Sequence, residues 1–377
     1  MLRGGDYGVP HHLILDILGK LPVKSLLRFK SVCKQWFRSI IDPDFTDRHL
    51  SNQKKRDPGF MTANSTCCIN KYNFGIEKVV FMDSMVVNKD NNTIPHCYTW
   101  LTDVPCDHYT MLNSCDGLLC FYGLSLAVFV FNPSTKEYRF LPNMGWYCHS
   151  LPRLGFGRDS VTKRYKIVRV LNPCPSHGRP RGCCLVITLD PNPDACWRSI
   201  GEIPYAVDSS SPSVHVDGAI YWLTDMIFHL DKTEVIVMFD LHVEKFQPIP
   251  HPSCCSDKNR GTMQLGTLRE CLCLSQQETE CRLNIWKMEK QQQKITWEKL
   301  YCILLFRNDL RVGPRFAFAE HRDGTLLVCS EDKVYLYKKN RHVCYVSIAK
   351  IGPRRTTAFT ESLVTVYGKT LSRSQWR

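Results

Sequence analysis

The sequence predicts an α+β multidomain chain: a small N-terminal three-helix module followed by a mainly-β, β-propeller-like domain. Residues 9–50 place apolar side chains at helical spacing in three short runs. Beyond them, short apolar strands alternate with polar turns, and the hairpins return at a spacing of about 50 residues. At 377 residues the chain is long enough to bury a large core.

In the first helical run Leu13, Ile14, Ile17, Leu18 and Leu21 span about 140° of the helix circumference, with Leu15 outside that arc. Leu21-Pro22 interrupts the run, and Pro22 suits the opening turn of a second helix carrying Val23, Leu26, Leu27 and Phe29. Ser31 suits the N-cap of a third. There Val32, Cys33, Trp36, Phe37 and Ile40 cover a similar arc while Lys30, Lys34 and Arg38 face elsewhere, and Asp42-Pro43 ends the helix. About 40 residues is close to the lower limit for independent folding, so the surplus apolar surface reads as a docking face; packing on the rest of the chain is the alternative.

The segment resembles the F-box in Val9-Pro10, Asp16-Ile17-Leu18, the run Leu21-Pro22-Val23-Lys24-Ser25-Leu26-Leu27-Arg28-Phe29, Val32-Cys33-Lys34-Gln35-Trp36, and Ile40 through Asp42-Pro43-Asp44-Phe45. Val9 stands where the family usually has Leu, and Asp16 where it prefers Glu. The resemblance implies a dock for the Skp-family adaptor of cullin-RING ubiquitin ligases. The adaptor would meet Val9, Pro10, Ile14, Ile17, Leu18, Leu21, Pro22, Leu26, Val32, Cys33 and Trp36, with Trp36 the candidate hot spot. A place for Trp36 in the intrachain core is the alternative.

No stretch approaches the apolar run a membrane span requires, and the N-terminus lacks the apolar region of a signal peptide. An intracellular protein, cytoplasmic or nuclear, is expected. The 20 cysteines are then expected to be thiols, and Cys115, Cys120, Cys271, Cys273 and Cys329 sit in apolar strand-like runs where cysteine acts as a small hydrophobe. Adjacent pairs (Cys67-Cys68, Cys183-Cys184, Cys254-Cys255) and Cys271-x-Cys273 do not suit a tetrahedral metal site, so neither metal nor cofactor is expected. The net charge is +13, and residues 1–60 hold 11 Lys and Arg against 6 Asp and Glu. A basic docking module suits an acidic adaptor; nucleic acid is the rival partner. Lys54-Lys55-Arg56, the sole run of three basic residues, reads as a solvated linker.

The recurring unit is an apolar strand, a polar turn and a return strand opened by an aromatic, as in Val128 to Phe131, Asn132 to Glu137, then Tyr138. It recurs at Val186 to Leu189 before Trp197, Val235 to Phe239 before Phe246, Leu283 to Trp286 before Trp297, and Val334 to Tyr337 before Tyr345. Asp116-Gly117, Asp217-Gly218 and Asp323-Gly324 supply tight hairpin turns, and Asp159 to Val170 and Arg269 to Leu274 hold the equivalent places without the glycine. That makes five units. Residues 59–112, with strand patterns at Lys78 to Met82, Met85 to Asn88 and Tyr98 to Leu101, are the sixth. A ring of such units is a propeller, kelch-like in period; an irregular β-sandwich is the alternative.

These units also resemble the F-box-associated interaction domain of a large plant-type family. The matching phrases are Ser114 to Cys120, Phe131 to Lys136, Gly155-Phe156-Gly157-Arg158-Asp159-Ser160, Val216 to Leu223, Phe239-Asp240-Leu241 and Glu361-Ser362-Leu363-Val364. Arg269-Glu270 departs from the family's glycine turn, and Pro173 to Gly182 is an insert. The expected layout is an F-box over 5–50, a linker and first blade over 51–110, the interaction domain over 111–366 and a basic tail over 367–377. The resemblance implies a receptor that recruits a protein for ubiquitination, without chemistry of its own. No nucleophile elbow, P-loop, zinc-protease or dinucleotide motif is present. Candidate target-binding loops are Tyr147 to Arg153, Pro173 to Gly182, Asp208 to Ser213 and His251 to Asn259, while the target itself is not legible.

Overall fold

The computed structural model describes residues 9–57, 59–64, 78–82, 86–87, 93–94, 97–100, 109–123, 127–142, 153–174, 181–189, 195–208, 211–225, 235–252, 262–279, 282–291, 294–304, 317–322, 324–329, 333–338, 341–347 and 355–367. The α+β architecture and the propeller are as the sequence predicts. The helical module has four helices rather than three: α1 (His11–Leu18), α2 (Val23–Phe29), α3 (Lys34–Ile41) and α4 (Pro43–Lys54).

Local chemistry sets these boundaries. Pro22 flanks α2, whose first helical residue is Val23. The cap of α3 is Cys33 rather than Ser31: the Cys33 sulfur accepts from the Trp36 amide at 3.4 Å, while the Ser31 hydroxyl donates to the Arg28 carbonyl. Asp42-Pro43, expected to end α3, also starts α4. The Asp42 carboxylate accepts from the amides of Asp44 and Phe45, and Pro43 occupies the first helical position, where its missing N–H costs nothing.

Among the described residues, six four-stranded antiparallel sheets follow, each a blade. Blade two is Tyr109–Cys115, Leu118–Gly123, Val128–Asn132 and Glu137–Phe140. Blade three is Arg153–Arg158, Tyr165–Leu171, Gly182–Leu189 and Arg198–Ile203; blade four is Val214–Val216, Ala219–Leu223, Ile236–Asp240 and Lys245–Ile249. Blade five comprises Met263–Leu268, Cys271–Thr279, Arg282–Gln291 and Lys294–Leu304, and blade six Ala317–Glu320, Leu326–Cys329, Lys333–Lys338 and Arg341–Ser347. Blade one is closed by a strand from after blade six: Arg355–Phe359 pairs with Gly59–Asn64, which continues to Lys78–Met82 and Cys97–Trp100. Val86–Val87 and Thr93–Ile94 form a separate ribbon. The innermost strands neighbour one another around a closed ring.

The core lies between blades. Blades two and three share Cys120, Val130, Phe156 and Ile167; blades three and four share Val168, Val186, Trp222 and Phe239; blades four and five share Tyr221, Leu265 and Trp286. Gly155 and Gly157 permit this fit: a Cβ at Gly155 would overlap the Trp222 ring, and one at Gly157 the ring of His215. The Gly-Phe-Gly phrase is therefore an inter-blade contact. Aromatics at the fourth strands brace neighbouring blades, with the Trp197 and Trp297 indoles donating to the carbonyls of Pro142 and Pro250, each at the end of the preceding blade.

Turn chemistry repeats too. Asn132, Asp159 and Asp240 each accept backbone N–H groups two and three residues on, and the turns end in left-handed Lys136, Lys163 and Glu244. Asp116-Gly117 and Asp217-Gly218 hold the paired positive φ of a tight hairpin. Cys115, Cys120 and Cys273 are buried in apolar strands as expected, burial pushing the Cys273 thiol up to about 12, while Cys271 is only half-buried and Cys184, not singled out from sequence, is buried too; the side chain of Cys329 lies outside the described residues.

Candidate functional site: the helical module and its seat on the ring

The module buries one half of its apolar set and presents the other. Leu18, Val23, Leu26, Ile40 and Phe45 form its interior, with Ile14, Leu15, Leu21, Leu27, Phe29 and Trp36 packed partly around them. Trp36 meets Phe29 edge-on, ring centroids 5.4 Å apart. Val9, Leu13, Ile17 and Val32 are 57, 45, 58 and 60 % exposed, and Pro10, Pro22 and Cys33 lie open beside them. Of the residues expected to meet a partner, Val9, Pro10, Ile17, Pro22, Val32 and Cys33 are at the surface, Ile14, Leu21 and Trp36 are half-buried, and Leu18 and Leu26 are sealed. Nothing covers the open set among the described residues.

Helix α4, which sequence reading missed, joins this module to the ring. One stripe, Phe45, His49 and Gln53 at i, i+4, i+8, faces the other helices: Phe45 is in their core, and His49 Nε2 and Gln53 Nε2 bond the Leu21 carbonyl. Asn52 donates to the Gly19 carbonyl. A second stripe, Asp47, Leu50 and Lys54 at i, i+3, i+7, faces the propeller. Leu50 joins the core of blades two and three.

Asp47 accepts from Arg158 Nη2 at 2.9 Å, and Lys54 Nζ lies 3.0 Å from both Asp116 Oδ1 and Glu270 Oε1. Asp116 and Glu270 sit on the inner turns of blades two and five, on opposite sides of a six-bladed ring. Lys54 thus links the inner turns of two opposite blades. At blade six the Arg322 amide donates to Asp57. The basic run expected to be a solvated linker is committed within the molecule at two of its three side chains, since Arg56 also donates to the Lys20 carbonyl.

Asp116 collects this network: it accepts from Tyr165 at 3.0 Å and lies 3.5 Å from Arg158 Nη1. Burial would raise its carboxyl, but the Lys54 ammonium and the Arg158 guanidinium hold it below the ordinary range. Burial works against the Lys54 charge as well, and Asp116 with Glu270 outweighs it, raising the amine. The missing glycine of blade five is explained here. Arg269 and Glu270 both take left-handed backbone, strained for non-glycine residues, and in return Glu270 meets Lys54 and Arg269 pairs with Glu320 of blade six.

The C-terminal segment completes the seat. After closing blade one, residues 360–367 run between module and ring: Leu363 enters the helical core, while Val364 and Val366 enter the core of blades two and three. Asn132 Nδ2 donates to the carbonyls of Ser362 and Val364. Gly117 makes room, because a Cβ there would overlap Ser362 and the Thr360 carbonyl.

A family model of the F-box domain matches residues 8–48, and one of the F-box associated beta propeller domain matches residues 59–367. The chain belongs to the F-box proteins with an associated propeller. Similar proteins from Arabidopsis thaliana include F-box protein At5g10340, 27 % identical over 87 % of this chain and 76 % of that one, and F-box/LRR-repeat/kelch-repeat protein At1g09650, 28 % identical over 81 % and 80 %. F-box protein At1g11270 is 28 % identical over 74 % of this chain and 87 % of its own length. Membership assigns the F-box protein, in general terms, to the substrate-recognition class of SCF-type assemblies.

The candidate target loops leave from the end of the ring opposite the F-box. Strand direction fixes this: the first strand of blade three starts at Arg153 and reaches the F-box end at Arg158, so connections after second and fourth strands emerge at the far end. All four loops are of those two kinds, and parts of each lie outside the described residues. Their roots are held by a polar frame: Arg153 Nε and Asn172 Nδ2 both donate to the Val207 carbonyl, and Arg153 also faces Asp225. No helix of the described residues is long and apolar enough to cross a membrane.

Proposed function

We propose that this F-box protein is a non-catalytic receptor subunit of an SCF-type ubiquitin ligase, working in the cytoplasm or nucleus. Its F-box docks a Skp-family adaptor, which brings the cullin and RING subunits, and its propeller recruits the protein to be ubiquitinated. One observation carries the reading. The F-box core is complete without Val9, Leu13, Ile17 and Val32, yet these stand exposed on a single small module. With Pro10, Pro22 and Cys33 they form the adaptor face, and Ile14, Leu21 and Trp36 lie at its edge. Lys54 and the F-box occupy the inner turns at this end of the ring, which favours target capture at the far end.

The test is titration of the purified chain with a Skp-family adaptor. The double variant Ile17→Asp with Val32→Asp is expected to weaken binding a hundredfold or more, about 2.7 kcal/mol, with an unchanged melting temperature, because both side chains are already in water. Undiminished binding in that variant would overturn the assigned face. Salt-sensitive binding of DNA or RNA without adaptor binding would favour the nucleic-acid reading.

A further inference from the structure

We propose that residues 360–367 are a working part of the adaptor-docking module, with Leu363 and Asn132 as positioning residues, so that the F-box becomes fully competent only once the ring has closed. The proposal rests on the adaptor reading above. Three observations carry it. Leu363 is 8 % exposed and packs with Leu18, Val23, Leu26, Ile40 and Phe45, supplying the only side chain of that core, among the described residues, that lies outside the helices. The segment holding Leu363 follows directly on Arg355–Phe359, the strand that closes blade one, so it reaches its seat only when that strand is paired. It is also gripped from the ring side: Asn132 binds two of its carbonyls, the Val366 amide donates to Glu137 at 3.4 Å, and the Tyr367 hydroxyl donates to the Tyr138 carbonyl at 3.0 Å.

An F-box core lacking Leu363 has an opening on the side that faces the ring. Packed interiors do not tolerate such a gap without shifting their helices. The shift propagates to the open face because Leu13 and Ile17 share α1 with Leu18, a member of the same buried cluster as Leu363. Leu363 therefore does not contact the adaptor; it holds the helices that do. The device makes docking report on closure of the ring, since the segment that follows the closing strand finishes a module that precedes the propeller in sequence.

The experiment uses the full chain and a Skp-family adaptor, with affinity by calorimetry and amide hydrogen exchange read by segment. Leu363→Ala is expected to weaken adaptor binding at least tenfold and to speed exchange in α1, α2 and α3 while blades three to six keep wild-type protection. Leu363→Met should restore both. Asn132→Ala, which frees the segment without touching the F-box, is expected to shift both in the same direction and serves if Leu363→Ala does not fold. Wild-type affinity together with wild-type F-box protection in either folded variant would overturn the proposal. Failure of the wild-type chain to bind adaptor would instead overturn the adaptor reading, and the exchange data alone would then decide whether the segment holds the F-box.

Discussion

The two ends of the ring are built on different physics. The F-box end includes two-residue hairpins with fixed dihedral demands, such as Asp116-Gly117, Asp217-Gly218 and Arg269-Glu270, together with buried charges in mutual contact and glycines kept bare by close neighbours. At the far end the connections between blades are longer, and there Arg153 and Asn172 hold the Val207 carbonyl, with Asp225 facing Arg153, rather than another module. One end is a joint and tolerates little change; the other is a set of anchored roots from which loops can vary. That division suits the proposed receptor role, in which the adaptor side would stay constant while the target side is free to diverge.

The comparison can be broken most sharply at Gly117. Gly117→Val should cost about 3 kcal/mol or more, because the backbone is left-handed and the tail lies against it; a melting temperature near wild type would show that the tail is not seated there. Next in size is Asp116→Ala, which leaves Lys54 and Arg158 facing each other without their shared carboxylate. A loss of about 3 kcal/mol in denaturant unfolding is expected, against about 0–0.5 kcal/mol for Arg181→Ala at the far end, whose pair with Glu202 is mostly in water. Equal costs for the two would erase the distinction.

Acid should act on the joint as well. Burial holds His49 in the F-box core and His215 beside Arg158 below the ordinary histidine value. Their contribution is complete above about pH 6.5 and is lost as pH falls from there through the folded values, since the unfolded chain then binds protons that the folded chain refuses. A fall in melting temperature of about 2–4 °C between pH 7.5 and 5.5 is expected, reduced in His49→Gln. The depressed Asp116 adds a second loss below about pH 4, as its carboxylate takes up a proton first in the unfolded chain. The smallest effect belongs to Glu270→Gly, which relieves left-handed strain while removing one partner of Lys54; these opposed changes should leave stability within about 1 kcal/mol of wild type.

What the sequence made legible follows the same division. Hairpins announce themselves through local rules, so Asp116-Gly117 and Asp217-Gly218 marked their turns, and the strands before them were readable from apolar runs. Blade five was placed despite Arg269-Glu270, but the reason for its missing glycine is a lysine more than two hundred residues away, which no local rule contains. Helix α4 was missed because Asp42-Pro43 serves equally to end one helix and begin another; the stripe Phe45, His49, Gln53 was the available signal, muted by its two polar members. The proposed adaptor face was only half separable, since Leu13, Ile17 and Leu18 look alike at helical spacing, and what places Leu18 inside is the buried cluster it forms with Leu363 and residues of the other helices. Ring closure by residues 355–359 is a long-range pairing with no local signature.

Helix α4 also acts as a ruler. Asp47 and Lys54 are seven residues apart, close to two full turns, so both reach the propeller from one side of the helix. Inserting a single residue between them would swing Lys54 by about 100° and carry it about 1.5 Å along, away from Asp116 and Glu270. In this chain the count of residues between those two side chains is constrained as firmly as their chemistry, and length variation among such receptors should fall anywhere but there.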